Sequence, residues 1–75
     1  MKTLEDLGYV KTLDDEEFAF YQKTIETDVV KILSIDKKLE TVDAIIANVS
    51  EDEENPALLT FEEFVAIAKV VEALR

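Results

Sequence analysis

Carboxylates dominate the chemistry available to this chain: 18 Asp and Glu stand against 8 Lys and Arg, with no His and no Cys. Lacking imidazole and thiol, it has neither of the commonest general bases and nucleophiles. Disulfides and thiolate metal sites are excluded by the same absence. Ser34 and Ser50 have no His to form a triad, and Ser34 falls inside a predicted strand. Acid pairs such as Asp14-Asp15 and Glu53-Glu54 could share a proton, but among 18 acidic residues such pairs arise without purpose. A glycine-rich phosphate loop is out of reach with Gly8 alone. Neither catalysis nor a bound cofactor or metal is expected.

What remains is charge. A net −10 makes free nucleic acid and anionic membranes poor partners, because both are bound through Lys and Arg. It favours solubility and attraction to basic protein surfaces. Two runs, Asp14-Asp15-Glu16-Glu17 and Glu51-Asp52-Glu53-Glu54, hold eight of the 18 acids. Brought to one end of a sheet, they would present carboxylates spaced like phosphates to a basic host protein. Asp14 to Glu17 are therefore candidate interaction residues. No apolar run approaches the ~18 residues of a membrane span, and the N-terminus lacks a signal-peptide core. A soluble, cytoplasmic protein is the expectation.

The elements that must position these groups follow from patterning. A chain of 75 residues, 48% hydrophobic with one Gly and one Pro, is expected to fold as a single domain with a small core. Thr3 to Gly8 reads as one helical turn, capped by Thr3 and stopped by Gly8. Phe18 to Ile25 and Asp28 to Ile35 read as strands rich in aromatic and β-branched residues, with the hairpin tip at Glu26-Thr27. Asp36-Lys37-Lys38 is a second turn. Leu39 to Val49 matches both a helical stripe and one strand face; the short preceding turn favours a strand. Ser50 to Pro56 is then an acidic loop.

The C-terminus carries the clearest signal. Thr60 and Glu63 have capping-box spacing, and Leu59 and Phe64 have that of a hydrophobic staple. Phe64, Ile67, Val70, Val71 and Leu74 form one apolar stripe, opposite Glu62, Lys69 and Glu72. The predicted fold is thus α+β: a short N-terminal helical turn, a three-stranded antiparallel meander, and a helix over about Thr60 to Leu74 packed on the sheet. Both sheet faces carry apolar side chains, and one helix covers one face. The uncovered face is assigned to Ala19, Tyr21, Ile25 and their neighbours on the next strand, which makes a homodimer the expected state. The alternative is an N-terminal lid of Leu4, Leu7 and Tyr9 folded over that face.

Two resemblances bear on function. Asp52 to Glu63, followed by Phe64, resembles an EF-hand loop, with Asp52, Glu54 and Glu63 at its first, third and twelfth positions. Pro56 and Ala57 depart from the ligand and glycine of the fifth and sixth positions, so the resemblance implies at most a degenerate calcium-binding fragment. The layout as a whole resembles small orphan proteins of Gram-positive phages and integrated mobile elements. The residues that carry this are Leu4-Glu5-Asp6-Leu7-Gly8-Tyr9, the turn at Asp36-Lys37-Lys38 and the capped start Thr60-Phe61-Glu62-Glu63. That resemblance implies an accessory protein and supplies no catalytic or binding residues. The expected role is a protein-binding or self-associating module, with an acidic nucleic-acid mimic as the alternative.

Overall fold

The computed structural model describes residues 2–73. Five strands, β1 (Val10–Asp14), β2 (Phe18–Glu26), β3 (Val29–Asp36), β4 (Thr41–Asn48) and β5 (Glu53–Pro56), precede one helix, α1 (Phe61–Ala73). The strands form a single antiparallel sheet in sequence order, each paired with the next. The three-stranded meander is therefore corrected to five strands. Both additions are edges with weak signals. β1 is short and exposed along its whole length, and β5 consists of Glu-Glu-Asn-Pro, among the poorest strand formers.

The N-terminal helical turn is also corrected. Residues 4–8 form a turn, closed by reciprocal bonds between Thr3 and Asp6 and ended by Gly8 at φ 96°. A side chain at Gly8 would be strained by that backbone angle. The hairpin turns place Asp28 and Glu40 at positive φ (66° and 56°), and the Asp36 carboxylate accepts bonds from the backbone of Lys38 and Leu39. Residues 39–49, ambiguous in the sequence, supply β4.

Helix α1 lies on one face of the sheet. The pairs Ala19 with Ile35, Tyr21 with Leu33, Leu33 with Ala44 and Ile35 with Val42 point to that side. There Leu4, Tyr9, Ala19, Tyr21, Leu33, Ile35, Ala66 and Ile67 form the buried core. This corrects the face assignment made from the sequence. Ala19 and Tyr21 are covered by the helix, and Ile25, 47% exposed, sits beside an irregularity in the β2–β3 register. Leu4 and Tyr9 pack into this core with Ala19 and Tyr21, and Leu7 packs against it, so the N-terminal segment does cover that patch, but beside the helix, and leaves the other face without a lid.

The helix stripe is rotated from its predicted position. Ile67 is buried, Val70 and Val71 are partly buried against the core, and Phe64 is 62% exposed. Leu74 lies outside the described residues. The rotation follows from Glu63, an acid that faces inward at 5% exposure and brings its own side of the helix to the sheet.

Candidate functional site

Two features stand out: a buried polar lock under the helix, and an open apolar face on the other side of the sheet. The lock is built on Glu63. Thr60 and Glu63 form the capping box, with Thr60 N–H donating to Oε1 at 2.9 Å and Glu63 N–H donating to Thr60 Oγ1 at 3.1 Å. The same Oε1 accepts from Lys31 Nζ at 2.6 Å, and Oε2 accepts from the Tyr9 hydroxyl. Lys31, itself 8% exposed, also donates to the Leu58 carbonyl at 2.7 Å.

One carboxylate thus joins the start of β1, strand β3, the segment before the helix and the helix itself. Burial pushes the Glu63 carboxyl up, but the bonds from Lys31, the Thr60 backbone and Tyr9 outweigh it and hold the group at about 2. Burial, with the bond to Glu63, raises the Tyr9 hydroxyl well above its ordinary value. Every partner in this network points at another member, which suits it to holding the fold together.

The same geometry bears on the EF-hand resemblance. Both Glu63 oxygens are engaged inside the protein, and Glu54 belongs to strand β5. Among the described residues no group of three acidic side chains is placed to hold a metal ion. Calcium at micromolar to low millimolar concentration is expected to leave the melting temperature unchanged. A saturable rise that is lost in Asp52→Asn would show that the loop binds it.

The acidic runs do not meet. Strand directions put the β1–β2 turn, with Asp15 to Glu17, at one end of the sheet, and the β4–β5 turn, with Glu51 and Asp52, at the other. Most members of the first run are also locally engaged. Asp14 accepts from Lys37 at 2.5 Å and Lys11 at 3.2 Å, which lowers its carboxyl. Asp15 accepts from the backbone of Phe18 and Glu17, which lowers its carboxyl likewise. Glu17 pairs with Lys38 at 3.4 Å. Of the predicted interaction residues Asp14, Asp15, Glu16 and Glu17, only Glu16 has no such bond among the described residues, so the run serves largely to shape a turn.

The open face carries apolar side chains and no helix; Val30 and Ala47 are buried there, and Phe18, Phe20, Ile32 and Ile45 are half-buried. Its pairs are Phe20 with Ser34, Gln22 with Ile32, Val30 with Ala47 and Ile32 with Ile45, with Phe18 and Leu13 beside them. Phe18 and Phe20 stack tilted, with ring centroids 5.9 Å apart. Charges on this face are peripheral: Asp36 and Asp43 toward one end, Glu54 on the edge strand. Sequence patterning showed that two apolar faces exist. It could not say which one the helix takes, since that is tied to Lys31, which shares the face of Leu33 and Ile35 and bonds Glu63.

Both sheet edges are unsuited to strand addition. β1 carries a bulge between Lys11 and Leu13, and β5 is four residues long, with two Glu and Pro56. A second apolar cluster, Leu58, Phe61 and Phe64, projects from the start of the helix at 90, 86 and 62% exposure. Among the described residues no helix is long and apolar enough to cross a membrane. No family model, curated protein or solved structure matches the chain.

Proposed function

We propose that this protein is a small cytoplasmic interaction module that self-associates through its open sheet face, in the manner of a phage or mobile-element accessory protein. The observation that carries the reading is the half-buried apolar centre of Phe20, Ile32 and Ile45, on the sheet face opposite the helix and between edges unsuited to strand addition. Apolar surface of this kind is what soluble monomers avoid and interfaces use.

Five strands about 4.8 Å apart, of four to nine residues at ~3.3 Å each, offer roughly 500 Å² per copy. A standard interface buries about 800 Å² per partner, so the contact is a weak one with a micromolar midpoint. A twofold axis running across the strands is favoured over one running along them. It sets Asp36 and Asp43 of one copy at the opposite end from those of the other, so two chains of net −10 meet at their neutral centres.

Sedimentation equilibrium over a micromolar concentration series tests this. A mass rising from monomer to dimer is expected, with Ile32→Asp remaining monomeric and Phe61→Asp associating like the parent. A monomer at every concentration would overturn the reading. Salt separates it from the acidic-mimic alternative, because capture of a basic host protein through carboxylates fades with ionic strength and an apolar contact persists.

A further inference from the structure

Helix α1 is apolar on two sides. Its inner stripe, Ala66 and Ile67 with the partly buried Val70, faces the core. Phe61, Phe64, Val65 and Ala68 form a second stripe at helical spacing along its outward side. A surface helix ordinarily keeps polar residues there, and one that is apolar all round is buried on all sides. Among the described residues nothing covers this stripe. Phe61 is 86% and Phe64 62% exposed, and Leu58, at 90%, stands just ahead of them in the chain.

The stripe has relief as well as area. Phe61 stands as a ridge between two open grooves of about 330 and 310 Å³. Val65, Lys2 and Glu62 line the first beside it; Leu59, Thr60 and Phe64 line the second. Side chains one helical turn apart on a partner would enter the two grooves and hold the ring between them. With ~150–250 Å² for a whole aromatic side chain, two Phe and a Leu at these exposures leave roughly 400 Å² of apolar surface open, the size of patch that is often functional.

Charge selects the occupant. Lys2 pairs with Glu62 at 3.3 Å, and Lys69, the single cation of α1, shares a cleft with Glu5. Glu72 lies in line with the stripe, so three carboxylates meet two ammonium groups in a chain of net −10. That field repels a second copy and an anionic bilayer and draws in a cationic segment. We propose that the outward face of α1 docks a cationic amphipathic helix of a partner protein, its apolar side chains in the grooves beside Phe61 and its Lys or Arg against Glu62 and Glu72. An Arg that reaches the open face of either Phe ring adds a cation–π contact.

The test titrates the intact protein, at about 0.15 M salt, with an amphipathic peptide of about fourteen residues that carries Leu at helical spacing and Lys elsewhere. Backbone amide shifts locate it, and the same peptide with Glu for Lys is the charge-reversed control. Saturable shifts are expected at Leu58, Phe61, Phe64 and Val65 with the Lys peptide, and none with the Glu peptide. Phe61→Ser, at an exposed position outside the core, is expected to weaken binding about tenfold, the loss of an aromatic anchor. Ile32→Asp is expected to bind like the parent, which keeps the outcome independent of association through the open face. The proposal fails if no saturable shift appears, if Phe61→Ser binds as tightly as the parent, or if the shifts gather on Phe20, Ile32 and Ile45. It fails too if the Glu peptide binds equally, if phosphatidylcholine vesicles move the same amides, or if dilution of the protein alone moves them, since the last two assign the stripe to lipid or to a second copy.

Discussion

Glu63→Ala is expected to leave most of the protein unfolded at room temperature, the largest effect of any single change considered. The substitution strands the Lys31 ammonium, 8% exposed, with only the Leu58 carbonyl as partner, and it removes the acceptor of the Tyr9 hydroxyl. Breaking a buried pair from one side costs about 3–5 kcal/mol. A core of this size supplies little more than about 3–5 kcal/mol in total. Urea unfolding measures the loss directly. Glu63→Gln keeps one oxygen for the Thr60 cap and puts an NH2, which donates and cannot accept, beside the Tyr9 hydroxyl, and is expected to fall between. Adding Lys31→Met to Glu63→Gln should recover stability, because the uncompensated charge is then gone. A double variant less stable than Glu63→Gln alone would show that Lys31 contributes chiefly by packing.

The same carboxylate sets a pH dependence. Its folded value, about 2, lies below the ordinary 4.5, so the folded state holds the ionised form more strongly than the unfolded chain does. The stabilisation is complete above the unfolded value and is lost as pH falls from there toward 2. Glu63→Gln should therefore flatten the acid limb of the stability profile in that window. An unchanged limb would assign acid unfolding to other carboxylates.

The second large effect separates two residues of one helix. Ile67→Ala, at a site 4% exposed, is expected to cost about 2–5 kcal/mol by emptying part of the core. Phe64→Ala, at 62% exposure, is expected to change stability by no more than about 0.5 kcal/mol. Parallel urea titrations decide it. A Phe64→Ala loss equal to that of Ile67→Ala would return Phe64 to the core-facing stripe that its spacing suggested.

That pair also shows where sequence reasoning held and where it ran out. The cap at Thr60 and Glu63 was legible because capping is local, fixed by residues three apart. The three central strands were legible because Phe18 to Ile25, Asp28 to Ile35 and Leu39 to Val49 are dense in β-branched and aromatic side chains. β1 and β5 were not, because their pairing is dictated by the neighbouring strand and not by composition. Glu53-Glu54-Asn55-Pro56 forms a strand only since β4 offers it a ladder. The burial of Glu63 was hidden for a similar reason. An acid reads as exposed until its partners are known, and Tyr9 and Lys31 are distant in sequence. With Glu63 inside, the helix is turned so that Phe64 faces outward, and the bond to Lys31 ties it to the face of Leu33 and Ile35.

The sheet order has a kinetic corollary. Each strand pairs with its neighbour in the chain, so the meander can close hairpin by hairpin over short loops. The bonds that fasten the helix are of another kind: Glu63 is 32 residues from Lys31 and 54 from Tyr9. Those long closures become favourable only after the sheet that carries Lys31 exists. The helix should therefore dock after the rate-limiting barrier and peel away before the sheet opens. Weakening the lock with Glu63→Gln would then accelerate unfolding while leaving the refolding rate nearly untouched. Amides of α1 should exchange with solvent ahead of those in β2, β3 and β4.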